Sequence, residues 1–291
     1  MSKKILITGA TGLIGKEALP FLIKDGFDVY AISTKTINDS SIHWLICDLF
    51  DENSVKKVFE KIKPEYLLNF AWITGGDYLT NKKNILFKNI GIKMLEFFKA
   101  NGGKRAIYAG SGFEYDITDE ILSETTPKSP KTLYAQCKNE LHDAAIKFAQ
   151  YDDISFGWGR IFGVFGHNEK NSRLTPQIMN YMKENRVFEL GAPNNIMDYM
   201  YSKDIANAFV EFLKSDYCGD VNICSGHGIS LKDYALLIQK LFKKENLIKY
   251  DDKKPSNLKY IGNNEILKES IGFSPKYTIE QALKEVIESY K

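Results

Sequence analysis

Tyr134 and Lys138 stand four residues apart in Tyr134-Ala135-Gln136-Cys137-Lys138, a spacing that puts a phenol and an ammonium on one helix face. A neighbouring cation favours phenolate, and bringing a tyrosine from about 10 to near 7 takes roughly 4 kcal/mol of differential stabilisation. Such a pair suits proton exchange with a substrate oxygen. The spacing also recurs by chance in helices, so its weight comes from its company: it lies on the helix expected after the fifth strand, and Ser111 sits at the end of that strand.

A second constellation is Gly9-Ala10-Thr11-Gly12-Leu13-Ile14-Gly15, placed directly after the apolar run 4–8. Glycines at a strand-to-helix turn let backbone N–H groups and a helix N-terminus approach a pyrophosphate. Gly9, Thr11, Gly12, Leu13, Ile14 and Gly15 are therefore candidates for holding a dinucleotide. NAD sites of this kind usually carry Asp or Glu after the second strand, on the ribose 2′-hydroxyl. Ser33, Thr34 and Lys35 occupy that place, and hydroxyls with an ammonium suit a 2′-phosphate. The expectation is NADP, used as NADPH, over NAD; the alternative is that Lys35 is a solvated loop lysine.

Both constellations need rigid elements behind them. Short β-branched runs at residues 4–8, 28–32, 43–47, 66–70, 105–108 and 154–158 alternate with amphipathic segments at 13–24, 54–62, 81–100 and 130–149. That alternation predicts an α/β fold, a doubly wound parallel sheet of Rossmann type, over residues 1–165. Asn53 is the expected cap of the second helix, and Gly102-Gly103 stops the third. A segment near 195–220 is expected to return to this domain. The remainder of 166–291, where Pro176 and Pro193 loosen the rhythm before helices at 204–214, 231–243 and 279–291, is expected to form a smaller mixed substrate lobe.

Composition narrows the function classes. Hydrophobic residues make up 44% and charged residues 26% of 291, which excludes a disordered chain. No apolar run reaches a membrane span, and the formal charge of +2 leaves no footprint for nucleic acid. Cys47, Cys137, Cys218 and Cys224 lack paired spacing and read as reduced apolar residues. His43, His142, His167 and His227 share no metal-ligand spacing, so no metal is expected. The start Met1-Ser2-Lys3-Lys4 and its apolar run imitate a signal peptide, but Gly and Thr interrupt it; the expected location is the cytoplasm.

Taken together, these motifs resemble the extended short-chain dehydrogenase/reductases of the NAD-dependent epimerase/dehydratase family, which modify nucleotide-linked sugars. The resemblance rests on the glycine turn, Asp48-Leu49, Asn69-Phe70-Ala71, Asn89, Ser111, Tyr134-x-x-x-Lys138, the run 160–166, Asp198-Tyr199 ahead of Asp204, and the ending Ile271-Gly272-Phe273-Ser274-Pro275. It implies that Asp48 and Leu49 contact adenine, that Phe70, Ala71 and Asn89 lie along the cofactor, and that Ser111 holds the reacting sugar oxygen. Tyr134 would exchange the proton, and Lys138 would bind the nicotinamide ribose while lowering the tyrosine. It also implies a homodimer through the helices at 81–100 and 130–149.

Departures from the family pattern sharpen the expectation. Dehydratases carry Asp and Glu directly after the catalytic Ser or Thr, and Gly112 and Phe113 stand there instead. Glu114 and Tyr115 become candidates to face substrate, and Trp72 is either core or a substrate wall. Met197 replaces the arginine that many members place on the nucleotide diphosphate, leaving Arg160 or Arg173 to carry that charge. The leading expectation is NADPH-dependent reduction of a keto group, C4 being the favoured carbon, on a nucleotide-linked deoxysugar. The alternatives are a 4-epimerase using the same residues and a catalytically silent NADP-binding sensor.

Overall fold

The computed structural model describes residues 3–117, 121–255 and 258–290. The elements in chain order are β1 (Lys3–Thr8), α1 (Gly15–Lys24), β2 (Phe27–Ser33), β3 (His43–Ile46), α2 (Glu52–Ile62), β4 (Tyr66–Asn69), α3 (Lys83–Ala100), β5 (Arg105–Ser111), α4 (Leu133–Tyr151), β6 (Ser155–Ile161), β7 (Gly163–Phe165), α5 (Leu174–Lys183), β8 (Phe188–Glu189), β9 (Ile196–Tyr201), α6 (Ser202–Lys214), β10 (Gly219–Ile223), β11 (Gly228–Ser230), α7 (Leu231–Leu241), β12 (Ile248–Lys249), β13 (Lys259–Tyr260), α8 (Glu265–Glu269) and α9 (Ile279–Tyr290). Seven strands form a parallel sheet in the order β3-β2-β1-β4-β5-β6-β10. The order reverses between β1 and β4, so the carboxyl ends of those strands open a crevice where ligands bind in such sheets.

Both faces of the sheet are covered, and the strand period of two assigns side chains to each. Ile5 and Ile7 join α1 and α6 in one core, whereas Leu6 joins α2, α3 and α4 in the other. In β6, a Cβ on Gly157 would lie 2.3 Å from Phe212, and one on Gly159 would lie 2.5 Å from Phe209. These glycines admit both α6 phenylalanines, which are fully buried, each contributing roughly 2–3 kcal/mol. The opposite face of β6 carries Trp158 and Arg160, also fully buried, so the aromatic run near 156–165 is strand core.

Beyond β7 the chain builds a second sheet, β11-β9-β13 with β7 also on β9, over a third core from α5, α7 and α9. Between these excursions α6 and β10 return to the large sheet. Pro176 sits in the first turn of α5, where its missing N–H has no partner to lose, so this segment is a helix rather than a loop. Asp51, not Asn53, caps α2, accepting from Ser54 N. The expected last residue of the final helix, Lys291, lies outside the described residues. Among the described residues no helix is long and apolar enough to cross a membrane.

Candidate active site

Construction of the site begins at the end of β1. The hydroxyl of buried Thr8 donates to Asn69 Oδ1 and accepts from Ala71 N at 3.3 Å, tying the ends of β1 and β4 together. Gly9 turns there with φ +68°, and a Cβ on it would lie 2.7 Å from Ala71 N; one on Gly15 would lie 2.2 Å from Gly9 O. Only glycine permits this closure. The N-cap of α1, Ile14, makes no side-chain cap, so bare backbone and free N–H groups face the crevice, as a pyrophosphate requires. The residues present fit a dinucleotide on that ground.

A cleft of about 430 Å³ runs from this turn to the tyrosine. Gly9, Thr11, Gly12, Leu13, Ile14, Gly15, Ser33, Thr34, Leu49, Phe70, Ala71, Trp72, Tyr134, Lys138 and Arg173 all line it. Lys35 does not: it lies exposed beyond Ser33, whose hydroxyl accepts its backbone N–H at 3.0 Å. Asp48 is exposed, with its carboxylate accepting from Phe50 N, whereas its neighbours Cys47 and Leu49 line the cleft.

Asn89 is corrected more sharply. It sits exposed on the outer side of α3 beside Leu86, Lys93 and Glu140, in a different depression. Asn84, five residues earlier and so about 140° round the helix, is the inward asparagine. It accepts from Trp72 Nε1 at 2.7 Å and donates to Tyr78 O and Asn81 O, locking the loop after β4. The sequence reading missed it.

The reacting corner is assembled from β5 and α4. Thr132 caps α4 through Ala135 N, and Tyr134 N donates to Leu79 O at 3.0 Å, fixing the first turn. Ser111, at the end of β5, is close enough to the Tyr134 hydroxyl to favour its ionised form, and the Tyr134 ring meets Tyr78 and Trp72 edge to face. One turn on, Lys138 Nζ donates to Ala109 O at 2.6 Å and lies 3.7 Å from the centroid of the Trp72 ring. Trp72 is thus a wall of the cleft and the base on which the lysine rests.

Electrostatics here differ from the spacing argument. Burial raises the Tyr134 hydroxyl above its ordinary value, more than the Ser111 hydrogen bond and the Arg173 charge lower it. Burial also lowers Lys138 to about 7, against the opposing pull of Glu114. The protein's own groups therefore keep Tyr134 a neutral phenol at neutral pH, and the expected depression by Lys138 is not produced by them.

Glu114, Tyr115 and Arg160, expected to face substrate, are instead interior at 0%, 1% and 0% exposure. Arg160 pairs with Glu114 at 2.9 Å and with Asp220 at 2.8 Å. Tyr115 donates to Asn222 Oδ1 at 2.8 Å. The side of the strands they occupy is filled by protein, leaving no face for a ligand. Arg173 is the arginine that reaches the cleft, held by Glu169 at 2.7 Å. Lys170 beside it reaches Thr74 O across the cleft mouth; sequence reasoning missed both partners. Among the described residues no group of three or more His, Cys, Asp or Glu could hold a metal.

Comparison with known proteins supplies the family. The model of the NAD dependent epimerase/dehydratase family matches residues 5–224. GDP-L-fucose synthase 1 of Arabidopsis thaliana is 24% identical over 99% of this chain and 93% of its own length. CDP-abequose synthase of Salmonella muenchen is 23% identical over 99% and 98%. UDP-glucose 4-epimerase of Thermotoga maritima, solved with UDP-glucose, superposes with a TM-score of 0.88 at 20% identity, covering 99% of this chain and 98% of that one; at that identity the likeness concerns the fold. With its parallel sheet, glycine turn and Ser–Tyr–Lys corner, the chain belongs to the NAD-dependent epimerase/dehydratase family and is an NAD(P)-dependent enzyme of the extended short-chain dehydrogenase/reductase type.

Proposed function

We propose that this enzyme is an NADPH-dependent reductase of a keto group, at C4, on a nucleotide-linked deoxysugar. The observation that carries the reading is that Tyr134 and Lys138 line one cleft with the glycine turn, with Lys138 Nζ held on Ala109 O at 2.6 Å; burial raises the Tyr134 hydroxyl, which favours a protonated phenol. A group poised in that state donates a proton. A bound reduced nicotinamide supplies hydride to the keto carbon. Tyr134 then passes its hydroxyl proton to the substrate oxygen, Ser111 hydrogen-bonds that oxygen as negative charge develops, and Lys138 holds positive charge beside them. The turn from Gly9 to Gly15 takes the pyrophosphate, and Ser33 and Thr34, hydroxyls without a carboxylate, support the choice of NADP.

Two further features favour reduction over dehydration. Gly112 and Phe113 stand where acid and base are needed, and the next carboxylate, Glu114, is bound to Arg160. Arg173, with Lys170 next to it in the cleft wall, takes the diphosphate charge in the absence of an arginine at Met197. Copies pair through α3 and α4, a proposal supported by exposed Ile85 and Leu86; elution as a monomer at micromolar concentration contradicts it. The four free cysteines are in keeping with a cytoplasmic setting, which fractionation of the source cells checks.

The test offers stereospecifically deuterated NADPH and NADH to a panel of nucleotide-linked 4-keto-6-deoxysugars and 4-hydroxy sugars. The expected product carries one added deuterium, drawn from NADPH. A mass-neutral isomer makes the enzyme a 4-epimerase, deuterium drawn from NADH overturns the cofactor assignment, and tight cofactor binding without product favours a sensor.

A further inference from the structure

Behind Ser111 the chain makes a single short helical turn, 112–114, whose last residue is Glu114. Glu114 Oε1 accepts the Ser111 backbone N–H at 2.7 Å while the Ser111 hydroxyl accepts from Phe113 N at 3.3 Å, a reciprocal capping box. A glutamine would serve such a box as well as a glutamate. Here the residue is a carboxylate with no exposed surface, its oxygens also taking Trp158 Nε1 at 3.1 and 3.2 Å and Arg160 Nε at 2.9 Å. Burying an ionised group is unfavourable unless it is paired, so its charge exceeds what the cap needs.

That charge is anchored and aimed. Arg160 is held in turn by Tyr115 OH at 3.1 Å and Asp220 at 2.8 Å, and Asp220 accepts from His142 Nε2 at 2.7 Å. His142 stands one turn beyond Lys138 on α4, where its other ring nitrogen meets Lys128 and Asp143. The groups in contact with Glu114 are Ser111 from β5 and Trp158 and Arg160 from β6, and its charge is also felt at Tyr134 and Lys138 of α4 and Tyr260 of β13. Lys138 has no carboxylate at ion-pair distance among the described residues; its Nζ lies 5.9 Å from the centroid of the Trp158 ring, whose Nε1 donates to Glu114 at 3.1 and 3.2 Å, so the two groups share one indole, and the Glu114 charge favours the Lys138 ammonium.

We propose that Glu114 is a positioning residue for the reaction: it fixes Ser111 through the backbone N–H and lends Lys138 the negative charge that its own contacts lack. The inference rests on the proposed roles of Ser111, Tyr134 and Lys138. It divides one residue's work into geometry and charge, and two variants separate them. Glu114→Gln keeps the acceptor for Ser111 N–H and removes the charge. Glu114→Asp keeps the charge and withdraws the oxygen by one methylene.

The decisive readout needs no substrate. The Lys138 ammonium is titrated by NMR in protein carrying ¹⁵Nζ-labelled lysine, with Lys138→Met to assign its signal. Removing a nearby negative charge lowers a lysine, so Glu114→Gln is expected to move the Lys138 titration down by about one pH unit, and the alkaline limb of kcat/KM with it. Glu114→Asp is expected to leave that titration in place and to lower kcat about tenfold, with KM unchanged. An unmoved Lys138 titration in folded Glu114→Gln overturns the proposal. If Glu114→Gln does not fold, Glu114→Asp decides: reduced kcat on an unmoved titration supports the proposal, and wild-type kcat overturns it. Absence of turnover on every nucleotide sugar would refute the reductase reading alone, because the NMR comparison stands without it.

Discussion

Lys138 and Arg160 are two buried cations on either side of the Ser111 turn, and the fold treats them oppositely. Arg160 is fully enclosed and meets two carboxylates, Glu114 and Asp220; burial pulls its basicity down, and Glu114, Tyr115 and Asp220 more than reverse that. Lys138, 5% exposed, meets one carbonyl and the face of Trp72, and burial lowers it to about 7. A cation whose charge is fully matched is locked in one state and serves the framework. One left under-matched at the wall of a cleft can respond to a ligand, and that is the condition of a working residue.

The comparison can be broken at several points, and the largest effect is expected at Tyr134. Tyr134→Phe removes the proposed proton donor but little volume, so turnover should fall by about 10²–10⁴ while cofactor fluorescence titration stays unchanged; retained turnover would remove the acid from the account. Arg173→Ala should raise KM for the nucleotide sugar by roughly tenfold to a hundredfold with kcat nearly constant, measured by steady-state kinetics. An unchanged KM would place the diphosphate elsewhere.

The framework side is testable by acid. Burial opposes ionisation of Asp220, but His142 and Arg160 outweigh it and hold the carboxyl at about 2. A folded value below the unfolded one, about 3.9, means stability that is present above pH 4 and lost as pH falls towards 2. Asp220→Asn should therefore lose about 2 kcal/mol near neutrality, and the gap to wild type in thermal melts should close between pH 4 and 2. A gap that stays constant across that range would sever Asp220 from the pair. Smallest of all, Asp51→Ala should lower stability by about 1 kcal/mol through the lost α2 cap, far from either cation, and Asn53→Ala should do less.

What the sequence disclosed follows the same division. The glycine turn, the strand and helix alternation, and Tyr134 with Lys138 were legible because each depends on residues near in sequence: a turn needing no Cβ, a period of two or 3.6, a spacing of one helical turn. Glu114, Arg160, Asp220 and His142 come together from the turn after β5, from β6, from β10 and from α4, and no local pattern announces that a carboxylate just past Ser111 will turn inward to an arginine one strand away. Trp158-Gly159-Arg160 does carry a trace of it, since glycines alternating with large residues show that one face of β6 is reserved for α6. Asn84 escaped for a similar reason: both it and Asn89 lie on α3, and only the packed helix shows which one faces Trp72. Asp48 and Lys35 lie exposed just outside the cleft lining, because a residue one step from the cleft points away from it as a strand ends.

The most direct measurement of the central contrast is a pair of thermal melts at neutral pH, on Lys138→Met and Arg160→Met, each with a turnover assay. Removing the under-matched cation should leave the melting temperature at or above that of wild type and abolish turnover. Removing the matched one strands buried Glu114 and half-buried Asp220, a loss of about 3–5 kcal/mol, seen as a fall of roughly 10 °C. The reverse result, with Lys138→Met unfolding and Arg160→Met melting like wild type, would contradict the assignment of the two cations to chemistry and framework.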